Sequence, residues 1–75
     1  MDLKVFVEQF ATQFDETDMS EFQPDTVFQD LDEWSSLAAM AIIAFVKTTY
    51  NKTVTGKEIR TCETIEDLYT LVSSK

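Results

Sequence analysis

Two adjacent serines, Ser35 and Ser36, stand where a polar, acid-rich stretch gives way to an apolar run from Leu37 to Val46. A serine hydroxyl at the start of a helix can accept one of the free backbone N–H groups there. The same helix end carries a partial positive charge, so it tolerates an attached phosphodiester. On local physics the simplest use of both serines is capping. Just upstream, Asp30-Leu31-Asp32 begins like a calcium loop. Ser35 stands where that loop requires Gly, however, and Ala41 where it requires the closing Glu, so an EF-hand is not expected. Acid–base work by Asp32 and Glu33 would need a cleft, and on a small domain they read as a solvated charge run. The chain has no His, one Cys and one Gly. That removes Ser-His and Cys-His nucleophile pairs, zinc and iron–sulfur ligand sets, and Gly-rich phosphate loops. No self-sufficient catalytic set remains, and an independent enzyme is not expected.

The elements that must position Ser36 follow from hydrophobic spacing. Leu3, Phe6, Val7, Phe10 and Phe14 recur at helical intervals and predict a first helix of about three to four turns. Residues 15–34 lose that period and contain the turn formers Asp15, Asp18, Ser20, Pro24 and Asp25. Phe22, Val27, Phe28, Leu31 and Trp34 are scattered through this long loop, which is therefore expected to pack across the molecule. With Ser35 as N-cap, a second helix runs from Ser36 to about Tyr50, ending near Asn51. Leu37, Met40, Ile43, Ala44 and Tyr50 predict one apolar face, which Ile42, Phe45 and Val46 widen. Thr55-Gly56-Lys57-Glu58 reads as a capping box for a short third helix reaching about Cys62. Thr64-Ile65-Glu66-Asp67 is a weaker start for a last helix whose stripe is Ile65, Leu68, Tyr69 and Val72. The expected fold is all-α: one domain over residues 1–75, a four-helix bundle with a long loop between helices 1 and 2 and a short third helix.

Charge bounds the partners. Fourteen acids face six bases, for a net charge of −8. Residues 1–37 hold ten acids and one base, a balance of −9, and residues 38–75 hold four acids and five bases, a balance of +1. Nucleic acid is not expected, because phosphate contacts need Lys and Arg. Basic protein partners are, although acids also serve simply to keep a small domain soluble. The ten-residue apolar run is too short to span a bilayer, and no basic-then-apolar leader opens the sequence, so a cytoplasmic protein is expected. Cys62 reads as a small buried hydrophobe. Met40, Ile43, Phe28 and Leu68 each read as core, or jointly as the lining of an acyl pocket. Trp34 either anchors the loop or packs beneath a group attached nearby.

Trp34-Ser35-Ser36-Leu37 resembles the attachment motif of acyl and peptidyl carrier proteins, in which Asp-Ser-Leu opens the second helix, often after Trp. Ser35 takes the place of the Asp. The resemblance covers nearly the whole chain: Phe28-Gln29-Asp30-Leu31 is similar to the segment ahead of the motif. Ile59 and Thr64-Ile65-Glu66-Asp67-Leu68 are similar to the third helix and the start of the fourth. It implies an acyl-carrier type of bundle in which Ser36 receives 4′-phosphopantetheine from coenzyme A through a phosphopantetheinyl transferase. The terminal thiol would hold acyl groups as thioesters for fatty-acid-like or polyketide-like synthesis. Acyl-activating, synthase or acyltransferase enzymes would be the partners of a monomeric carrier. An aminoacyl or peptidyl carrier, or an unmodified interaction module, shares the same fold and stays open. Carriers of fatty acid synthesis usually bear acids on the exposed face of helix two. Here Lys47 is that helix's only charged side chain, beside Ala38, Ala39, Ala41 and Ala44. Docking is therefore expected on Leu37, Ala38 and Ala41, with Asp32 and Glu33 of the preceding loop supplying charge.

Overall fold

Asp2 starts the first helix, α1 (Leu3–Ala11), by accepting the Lys4 N–H on its carboxylate at 2.9 Å. The computed structural model describes residues 2–75. Phe6, Val7, Phe10 and Ala11 form the buried stripe of α1. The helix stops at nine residues, about two and a half turns, short of the three to four turns its spacing predicts. Thr12 turns its hydroxyl back to the Gln9 carbonyl at 2.6 Å, and such local side-chain bonds compete with helix continuation. The Gln13 and Phe14 N–H groups then tighten onto Phe10 and Ala11, which keeps Phe14 in the core although it lies outside the helix.

The second helix, α2 (Ser36–Tyr50), matches its expected span. Ser35 caps its start, and Asn51 in the left-handed region, at φ 56°, closes its end with an N–H bond to the Lys47 carbonyl. Its rotation departs from the expected face. Ile42, Phe45 and Val46 are the buried residues, while Leu37 is 76% exposed, Met40 64% exposed, and Ala44 also faces solvent. Ile43 and Tyr50 lie half-buried. Apolar side chains surround this helix, so period alone does not select a face. The compact Ile42–Phe45–Val46 set, at i, i+3 and i+4, is the one that meets the core.

The third helix, α3 (Gly56–Thr61), and the fourth, α4 (Ile65–Ser73), each open with a complete capping box. Thr55 pairs reciprocally with Glu58, and Thr64 with Asp67, so the second start is as fully formed as the first. α1 packs on α4, and α2 on α3. Among the described residues there is no strand, only an isolated antiparallel bridge between Val27 and Thr64. The radius of gyration is 11.0 Å, close to the roughly 11 Å expected of a single compact domain of this length.

The long connection from α1 to α2 is tied down throughout. It contains two short 3-10 turns, Met19–Glu21 and Phe28–Asp30. Phe22 and Phe28 are buried, and rings of Phe10, Phe14, Phe22, Phe28 and Trp34 contact one another in a continuous cluster. Val27, by contrast, is 40% exposed. The first N–H groups of α4, from Ile65 and Glu66, donate to the loop carbonyls of Thr26 and Pro24 at 3.1 and 2.9 Å. Donors left over by helix geometry thus serve to hold the loop.

Candidate functional site

Ser35 and Ser36 are distinguished by what their hydroxyls do. Ser35 has extended backbone and its Oγ accepts the Ala38 N–H at 3.2 Å. Ser36 is the first residue of α2; its side chain is exposed and has no hydrogen-bond partner among the described residues. A group attached to Ser36 Oγ therefore disturbs no bond, whereas one on Ser35 would compete with the cap. The helix end also favours negative charge on an attached phosphate. These features fit the phosphopantetheine group that the sequence resemblance implies.

Ser36 sits on the rim of a groove of about 440 Å³ between α2, α3 and the end of the loop. Trp34, Met40, Ile43 and Ile59 supply its apolar walls, and Gln29 and Arg60 its polar side. Phe28 and Leu68 do not reach it; both are fully buried in the core. Trp34 is half-buried, with its ring edge-on to Phe28 at 4.9 Å between centroids, and it also contacts Phe14. It thereby anchors the loop two residues before Ser36 and walls the groove at once.

Gln29 and Arg60 are absent from the residues that spacing singles out. The Gln29 Nε2 donates toward the carbonyls of Ile59, Arg60 and Cys62 at 3.2, 3.3 and 2.9 Å. They lie at the end of α3, where helix geometry leaves carbonyls short of partners, and the Ile59 carbonyl also accepts the Cys62 N–H at 3.1 Å. One amide side chain thus joins the loop to α3 and sets the far wall of the groove. A long-range tie of this kind leaves no period in a sequence.

The residues expected at a docking surface divide. Leu37, Ala41 and Asp32 are exposed, whereas Ala38 is half-buried. Glu33 is half-buried and its Oε1 accepts the Glu16 N–H at 3.0 Å and the Thr17 hydroxyl, so its carboxylate holds the loop together. Cys62 is buried, and burial, assisted by the Asp67 and Glu58 carboxylates, pushes its thiol pKa up. It stays protonated near neutral pH and is a poor nucleophile there. No helix is long and apolar enough to cross a membrane among the described residues. Compared with protein-family models, curated proteins and solved structures, the chain matches none.

Proposed function

We propose that this chain is a carrier protein of the acyl-carrier type, modified on Ser36 with 4′-phosphopantetheine. The observation that carries the reading is the free, exposed Ser36 hydroxyl at the first position of α2, beside a largely apolar groove. In the modification step Ser36 Oγ forms a bond to the β-phosphorus of coenzyme A. The pyrophosphate bond breaks, adenosine bisphosphate leaves, and the serine proton passes to a base on the transferase. The attached group supplies a terminal thiol on a flexible tether, and the thiol holds acyl cargo as a thioester. The chain's own residues present and orient this tether: Ser35 fixes the helix start, Trp34 and Gln29 fix the loop, and Met40 and Ile43 offer apolar surface. Tethering raises the local concentration of cargo at each enzyme visited, so no catalytic group is required of the carrier.

Partners would meet the exposed side of α2, at Leu37, Met40 and Ala41, with Asp32 adding negative charge. That apolar side also favours a second reading, an interaction module that binds partners without the tether. An aminoacyl or peptidyl carrier differs only in cargo. Protein recovered from its native host decides among these. The carrier reading expects the Ser36 peptide to carry one phosphopantetheine, with the cargo released by hydroxylamine identifying acyl or aminoacyl use. A uniformly unmodified Ser36 peptide would support the interaction module instead.

A further inference from the structure

We infer that the Arg60 guanidinium holds the phosphodiester carried on Ser36, an inference that rests on the carrier reading above. Arg60 is the single charged residue lining the groove that Ser36 rims. Its side chain has no ion pair or hydrogen bond among the described residues, although acids outnumber bases fourteen to six in the chain. Glu63 lies three positions away and remains unpaired with it.

The backbone of Arg60 is held by structure around it. Gln29, which lines the same groove, shares its two amide N–H donors among the carbonyls of Cys62, Ile59 and Arg60 itself. Arg60 is thereby tied to the loop that leads into Ser36. One turn earlier, Gly56 leaves the helix surface bare: a Cβ there would stand 3.7 Å from Arg60 Nη1. The guanidinium thus lies back along α3 over Gly56, itself a groove-lining residue. The other walls are mainly apolar, so an anion in the groove finds one cationic partner. Guanidinium matches phosphate geometry through paired N–H donors and is always charged. The phosphodiester is the anion attached nearest the groove, being bonded to Ser36 itself.

The test uses protein loaded at Ser36, with intact mass establishing one phosphopantetheine per chain and no cargo on the thiol. The Arg60 side-chain N–H resonance is expected to shift on loading. The phosphorus resonance is expected to move in Arg60→Gln and to return part of the way in Arg60→Lys, with the differences shrinking at high salt. Arg60 is exposed, so both variants should fold, which their amide spectra check. Unchanged Arg60 and phosphorus resonances in verified loaded protein would overturn this inference and leave the carrier reading standing. An Arg60 shift seen only after the thiol receives a dicarboxylic acyl group would also overturn it, assigning the guanidinium to cargo. Failure of Ser36 to become modified both with a transferase and in the native host would overturn both.

Discussion

Ser35 and Ser36 carry identical hydroxyls, yet their neighbours give them different work. Ser35→Ala removes the bond to the Ala38 N–H and should lower stability by about 1 kcal/mol while leaving modification intact. Ser36→Ala removes an exposed hydroxyl and should change stability by less than about 0.5 kcal/mol while abolishing modification. Urea melts and intact masses of the two variants measure both halves. Cys62 offers a further check at this scale. Its buried, protonated thiol should react slowly with an alkylating reagent in the native protein and quickly in denaturant. Equal rates would show that Cys62 is open to solvent and able to compete with a tethered thiol. The capping serine and a buried Cys62 were legible from residue type and register. The roles of Gln29 and Arg60 were not, because they depend on pairings about thirty positions apart in the chain.

At the scale of elements, the caps are the features sequence predicts best. The Ser35, Thr55 and Thr64 starts lie where their local patterns place them, because capping is a contact between residues three apart. Rotation of α2 was less legible, since a helix apolar on most sides leaves its buried face to be chosen by the rest of the core. The α4 start predicts a pH response. The Asp67 carboxylate accepts the Thr64 and Glu63 N–H groups, and these bonds hold its pKa below the ordinary carboxylate value. A group depressed in the folded state stabilises above its unfolded pKa, and that stability is lost as pH falls through the folded value. Asp67→Asn should therefore reduce stability at neutral pH and flatten the acid limb of the stability curve, as thermal melts from neutral to strongly acidic pH would record. For the docking proposal, Glu33 is a poor probe because reversing its charge breaks the loop's bonds to Glu16 and Thr17. Asp32→Lys is cleaner. It should slow transfer to a cognate enzyme at low salt, with less effect at high salt, while leaving the melting temperature nearly unchanged.

In the whole molecule, stability and site geometry share one core. Phe6, Phe10, Phe28, Ile42, Ile59, Ile65 and Leu68 are essentially inaccessible to solvent, and the described residues bury no unpaired polar side-chain atom. A domain of this size has a net stability toward the low end of the usual range of about 5–15 kcal/mol. Phe28→Ala should cost about 3–5 kcal/mol, enough to consume much of that margin. It would also remove the ring on which Trp34 rests, so the loop before Ser36 should loosen together with the fold, a coupling that hydrogen exchange and Trp fluorescence can follow. The helical class, the four helices and the packed loop were readable because they follow from spacing and breaker residues. The groove was not, because its walls come from three separate stretches of chain. The central claim concerns Ser36, and the most direct measurement is the intact mass after incubation with coenzyme A, magnesium and a broad-specificity phosphopantetheinyl transferase. Wild type and Ser35→Ala should each gain one phosphopantetheine, and Ser36→Ala none. A gain that persists in Ser36→Ala, or no gain in any of the three together with an unmodified Ser36 in protein from the native host, would contradict Ser36 as the attachment point.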